Sequence, residues 1–179
     1  MKKKIILMLL ICVTMLIGCY KEETFDDFFR RTMKEMHKNQ KNYSYSLIYR
    51  ETNVVHENDS VAIFKENQNN EETIFLAYFE KENDKWKWRQ TIGGRWNSPV
   101  KWTSMNKKPY IYLGAIDDKF SSKIYVGEKP SKIIDVEQGK KLWYAISDKK
   151  DVEVKILRND GSEEILEQIK GDWDNVVEY

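Results

Sequence analysis

The strongest constraint on the fold is a period of two that begins at Tyr43. Tyr43, Tyr45, Leu47 and Tyr49 alternate with Ser44, Ser46 and Arg50, the spacing at which side chains share one face of a strand. Strand-like runs follow at 61–65, 73–79 and 86–92, and the stretch EKENDK at 80–85 reads as the connection of a hairpin. Beyond Pro99 and Pro109 come six more short runs, at 110–116, 123–126, 132–136, 142–147, 152–158 and 163–169. The last two are joined by Asn159-Asp160-Gly161-Ser162, a strong turn sequence. Short strands at a spacing of about ten residues predict an antiparallel meander followed by a small β-sandwich-like unit.

One helix is expected ahead of the strands. Phe25, Phe28, Phe29, Met33 and Met36 recur at helical spacing, Thr24 can cap the first turn, and Asp26 and Asp27 suit its dipole. Such a helix can pack on the sheet or lie along a membrane surface. Asp26, Asp27 and Glu35 dilute its basic face and favour packing. The predicted class is mainly β (α+β), with an amphipathic helix on a meander over 25–104 and a sandwich-like unit over 105–179. The boundary between these units is soft, and both can share one core.

The amino-terminal 18 residues follow a different pattern. Lys2, Lys3 and Lys4 precede a thirteen-residue apolar run, Ile5 to Ile17, broken only by Thr14. As a helix this run reaches roughly 20 Å, short of the roughly 30 Å hydrocarbon core of a bilayer. A basic start, a short apolar centre and the small Gly18 are the layout of a signal peptide. Leu16-Ile17-Gly18-Cys19 resembles the lipobox of bacterial lipoproteins. The resemblance implies that Cys19 receives a diacylglyceryl group and becomes the first residue of the mature chain. The two acyl chains of that group, such as palmitate, anchor stably where one binds only marginally. The implied location is the extracytoplasmic face of the cell membrane, with residues 19–24 as a tether spanning at most about 17 Å. Cys12, the only other cysteine, would leave with the leader, so the mature domain rests on its core without disulfides.

From Cys19 on, the chain carries 27 basic and 29 acidic residues and all 23 of its aromatics. That balance excludes a protein that coats nucleic acid, and the aromatic load marks a folded domain. Scarce alanine and proline beside plentiful Lys, Asn, Ile and Tyr match Gram-positive usage. Together with WKWRQ and PYIYLGAI, this style resembles small exported lipoproteins of Bacillus-type bacteria, of unassigned function. No active-site pattern comes with that resemblance.

The search for chemistry finds no nucleophile elbow, zincin motif, Walker loop or dinucleotide fingerprint. No catalytic residue, metal ligand or cofactor is assigned. His37 and His56 sit in polar surroundings and read as surface residues, and Asp172, Asp174 and Asn175 lack the spacing of a calcium loop. One segment stands out. Residues 85–108, KWKWRQTIGGRWNSPVKWTSMNKK, hold seven cations, no acid and four of the six tryptophans. Strict alternation puts Trp86, Trp88, Gln90 and Ile92 on one face and Lys87 and Arg89 on the other. Lys87, Arg89, Arg95 and Lys101 are the candidate binding cations, with Trp96 and Trp102 as exposed rings. Cations beside rings suit an anionic cell-wall polymer, a lipid headgroup or a glycan. The bland alternative is a solvated strand face and a loop that caps the core. The functional expectation is a non-catalytic binding or accessory module of the cell envelope. The alternatives are an envelope hydrolase and a protective partner of another membrane protein.

Overall fold

The computed structural model describes residues 22–94, 101–117, 123–137 and 139–169. The leader, Cys19, Arg95, Trp96 and the Asp172–Asn175 group lie outside the described residues. The described residues are mainly β, 60% strand and 9% helix. Helix α1 (Phe25–Met36) starts where Thr24 caps it, with the Asp27 amide donating to Thr24 Oγ1 at 3.2 Å and the Thr24 hydroxyl donating to Asp27 Oδ2 at 2.8 Å. Strands β1 (Tyr43–Thr52), β2 (Asp59–Gln68), β3 (Glu71–Glu82) and β4 (Lys85–Gly94) form an antiparallel meander in that order. Two tight turns enforce it. Asn69-Asn70 and Asn83-Asp84 all take positive φ, the left-handed pair that two-residue hairpins require and that Asn and Asp tolerate.

The second sheet, in order, is β13 (Glu167–Gln168), β5 (Lys101–Ser104), β6 (Tyr110–Asp117), β10 (Lys140–Ser147) and β9 (Lys132–Glu137). The third is β12 (Glu163–Ile165), β11 (Val154–Leu157), β7 (Lys123–Val126) and β8 (Lys129–Pro130). The turn predicted at 159–162 joins β11 to β12, with Ser162 N donating to Asp160 Oδ1 at 2.9 Å.

Three apolar clusters stack these parts into four layers. Phe25, Phe28, Phe29 and Met33 of α1 pack on Ala62, Phe64, Ala77, Phe79 and Trp88 of the first sheet. The opposite face of that sheet, with Val61, Ile63, Leu76 and Ile92, meets Ile111, Leu113, Leu142 and Tyr144 of the second. The second sheet turns Trp102, Tyr112, Trp143 and Ala145 toward Ile124, Val126, Val154 and Ile156 of the third. Helix α1 therefore buries its apolar face on the meander, as its pattern predicts, and each buried Phe contributes about 2–3 kcal/mol. Glu51 ties the first two sheets at one edge. Its carboxylate accepts from Tyr49 Oη at 2.6 Å, from Lys132 Nζ at 2.7 Å and from the Tyr144 hydroxyl. Burial pushes Glu51 up, but these three donors outweigh it and hold the carboxyl below its usual range.

Strict alternation fails on both outer strands of the meander. In β1 the register passes from Leu47↔Phe64 to Tyr49↔Ile63, so Ile48 is an extra residue. Tyr43 and Tyr45 then face the helix while Tyr49 faces the second sheet. In β4 the register passes from Phe79↔Trp88 to Tyr78↔Gln90, and Arg89 is the extra residue. Trp86 and Trp88 face the helix, whereas Gln90 and Ile92 face the other way. Each bulge inserts one residue against the partner strand and reverses the faces beyond it, which a period of two cannot reveal.

Candidate functional site

The site begins with Asp59, the first residue of β2, whose side chain is fully buried. Residues 53–58 make a loop entered at Asn53 and left at Asn58, both with positive φ. Asp59 braces this loop from inside. Oδ1 accepts Val54 N at 2.7 Å, and Oδ2 accepts Val55 N at 3.0 Å, His56 N at 2.9 Å and the Tyr78 hydroxyl at 3.1 Å. A buried carboxylate is tolerable only with such a set of donors.

The loop holds His56, half-exposed, over β3. Its Nδ1 lies 2.7 Å from the Glu57 carbonyl and its Nε2 lies 3.2 Å from both Glu80 Oε1 and Tyr78 Oη. The other Glu80 oxygen accepts Arg89 Nε at 2.6 Å. Arg89 also pairs with Glu82, which in turn pairs with Lys87 at 2.5 Å. The bulge places Arg89 here, because it sends Arg89 and Gln90 to the same side of β4. Gln90 is buried and clamps the β5–β6 loop: Nε2 donates to the carbonyls of Lys107 at 3.1 Å and Lys108 at 3.3 Å, and Oε1 accepts Lys107 N at 3.1 Å. A cleft of about 370 Å³ results, lined by Tyr78, Glu80, Trp88, Arg89, Gln90, Lys107 and Lys108. Its wall carries three cations and one carboxylate, a lining suited to an anionic or polyhydroxy group.

Protonation in the cleft follows from these contacts. The Glu57 carbonyl and then the Glu80 carboxylate hold His56 above its ordinary pKa. Burial pushes Glu80 up, but the bonds from His56 and Arg89 win and hold it below its usual range. Burial, then the charges of Asp59 and Glu80, push Tyr78 far up, so it stays a neutral donor. A raised histidine stabilises the fold below its unfolded value and loses that contribution as pH rises through the folded one. A lowered glutamate stabilises above its unfolded value and loses it as pH falls through the folded one. The pair therefore contributes most between about pH 4.5 and 6.5. A His56→Gln variant is expected to be less stable than the parent by ~0.5 kcal/mol in that window, the figure for a half-exposed pair. By about pH 8.5 the difference should vanish. Urea midpoints at three pH values measure this, and an equal loss at all three would mean that the ring acts by packing alone.

The residues singled out from sequence separate in the fold. Lys87 and Arg89 come together, each on a glutamate of β3. Lys101 lies on β5 in the second sheet, 4.0 Å from Glu167. Trp102 is not an exposed ring. It is 6% exposed, its indole N–H donates to the Leu166 carbonyl at 2.9 Å, and its ring centroid lies 5.1 Å from that of Tyr112. The reason is that residues 101–104 form a strand, which the two flanking prolines disguise as a loop. Arg95 and Trp96 fall outside the described residues. Tyr78, Glu80, Gln90, Lys107 and Lys108 complete the lining, with His56 on Glu80 and Asp59 behind Tyr78, and no spacing in the sequence joins them. The one local signal is the pair Asn53 and Asn58 around a loop that ends in Asp59. Among the described residues no group of three or more His, Cys, Asp or Glu is placed to hold a metal ion, and no helix is long and apolar enough to cross a membrane. The chain matches no protein-family model, no curated protein and no solved structure.

Proposed function

We propose that this protein is a membrane-anchored lipoprotein of the extracytoplasmic face, acting as a binding or accessory module of the cell envelope. The observation that carries the reading is Leu16-Ile17-Gly18-Cys19 at the end of the thirteen-residue apolar run, with a capped helix beginning at Phe25. The cleft beside Arg89, Lys107 and Lys108 supports binding of an anionic or sugar-bearing group. The mixed sign of the cleft favours a ligand with both anionic and hydrogen-bonding groups over a plain polyanion.

The experiment follows both halves of the reading in one strain. Wild-type chain is expected to take up radiolabelled palmitate and fractionate with membranes, and Cys19→Ala to lose the label and most of the membrane fraction. The domain from Glu22 onward, added to purified cell wall at low ionic strength, is expected to co-sediment. The Lys107→Gln/Lys108→Gln variant should do so several-fold less. Salt should weaken the binding, since the Debye length is about 8 Å at physiological ionic strength. An unlabelled wild type overturns the anchor, and a domain that ignores the wall overturns the binding role.

A further inference from the structure

The fold has two unlike ends, and the chain enters at one of them. Helix α1 runs along the first sheet. At its start Asp26 pairs with Arg50 at 3.1 Å, and the Phe25 ring lies 5.2 Å from Trp86, edge to face. At its finish His37 stacks on Tyr43 at 3.8 Å and approaches Glu66 at 3.5 Å. The start of the helix therefore shares an end with the 53–58 loop and the Asn83-Asp84 turn, and Lys81 N donates to the Asn58 carbonyl there at 2.8 Å. The last residues before the helix are fastened to the same end. Glu22 pairs with Lys81, and Glu23 pairs with Arg31 at 2.9 Å.

We propose that this end of the first sheet rests in the phospholipid headgroup layer, with the meander standing away from the bilayer. The proposal rests on the lipoprotein reading of Cys19. Three residue steps separate Cys19 from Glu22, a reach of at most about 11 Å. The headgroup region on each side of a bilayer is about 5–8 Å deep. An anchored domain with so short a tether, pinned at Glu22 and Glu23, cannot present a remote surface to the lipid. The end itself suits the layer. Val55, 42% exposed, stands at the tip of the loop, and Trp86 is half-buried with the Lys81 ammonium 5.8 Å from its ring. Apolar side chains and indoles with nearby cations occupy the membrane–water boundary. Glu22, Glu23 and Asp26 are each matched by a cation, and the exposed acids Asp27, Glu57 and Asp84 share the end with the exposed Lys85. The far end carries Gln40, Lys41, Asn42, Asn69 and Asn70, all exposed and none apolar. Ten residues of β2 place that end roughly 30 Å farther out. The cleft then opens near the bilayer surface, because Glu80 lies three residues from the Asn83-Asp84 turn.

The test uses the full chain, acylated and reconstituted in vesicles of equimolar phosphatidylethanolamine and phosphatidylglycerol. With Cys12 removed and Cys19 acylated, an introduced cysteine is unique. A fluorophore is placed at Val55→Cys and Glu57→Cys on the near end, and at Lys41→Cys and Gln68→Cys on the far end. Two positions at each end guard against one variant that fails to fold. Headgroup-spin-labelled lipid is expected to quench both near labels several-fold more than both far labels. Equal quenching means a domain lying flat or turning freely, and stronger quenching at the far end means the reverse orientation. Either result overturns the proposal while leaving the anchor intact. Flotation is scored first: a chain that neither floats with vesicles nor carries acyl mass on Cys19 overturns the anchor, and the orientation with it.

Discussion

Asp59→Ala is expected to lower the unfolding free energy by about 3 kcal/mol, a buried carboxylate with several donors being removed at once. Three amides of the 53–58 loop and the Tyr78 hydroxyl converge on it, and its side chain is fully buried. Alanine leaves those donors facing a void. Water can reach the loop amides, which keeps the loss near the lower end of the range. In a domain of this size it corresponds to a drop in Tm of roughly 6–12 °C. Asp59→Asn preserves the shape but turns one acceptor oxygen into an NH2 group. The bond to Val54 can survive, whereas the amides of Val55 and His56 would then meet a donor. A comparable loss is expected from Asn. Thermal and urea unfolding of both variants measure the effect, and losses below about 1 kcal/mol in both would show that the loop does not depend on this carboxylate.

The second large effect lies between the second and third sheets. Gly114 on β6 stands opposite Trp143 on β10 and opposite Trp102 on β5. A Cβ on Gly114 would lie 2.5–2.6 Å from Cε2, Cζ2 and Nε1 of Trp143, which is fully buried. No alternative pose is open to a rigid indole held inside the core. Gly114→Val is expected to cost about 3 kcal/mol or to prevent folding, and Gly114→Ala about 2 kcal/mol, after the gain of about 0.5–1 kcal/mol from a stiffer strand residue. Because Gly114→Val can fail outright, the decisive measurement is a double-mutant cycle of Gly114→Ala with Trp143→Phe. The smaller ring makes room for the new methyl, so the pair should be less damaging than the sum of the single changes. Additive losses would place the strain elsewhere.

How much of this was legible varies with position in the layers. Helix α1 was readable in full because Thr24, the acidic first turn and the Phe25–Met33 stripe agree with one another. Strands β2, β3, β6 and β10 were readable as strands through their apolar runs. Each is covered on both faces, so alternation is lost and continuous apolar sequence replaces it. Which face each residue takes was not readable on β1 and β4, where Ile48 and Arg89 shift the register. The cleft shows the same limit. Arg89 was singled out for its charge, but its role depends on Glu80 and on a loop braced by Asp59, contacts that sequence distance conceals. Trp102 misled because an indole between prolines resembles a loop residue, while its place is fixed by a parallel pairing of β5 with β13, more than sixty residues away.

The interrupted registers bear on how the protein behaves among its own copies. Among the described residues, each of the three sheets has two outer strands whose backbone groups could pair with another chain and seed edge-to-edge self-association. In the first sheet these are β1 and β4, broken at Ile48 and Arg89. In the second, β9 is broken at Val136 and β13 is only two residues long. In the third, β8 is Lys129–Pro130, whose proline has no amide to offer, and β12 carries Glu163 and Glu164. None of the six presents a long, flat, uncharged ladder. For a chain confined to the plane of a membrane, as proposed, local concentration is high and encounters are frequent. Edges of this kind disfavour strand addition between such neighbours, and the same bulge that turns Arg89 into the cleft is one of the interruptions.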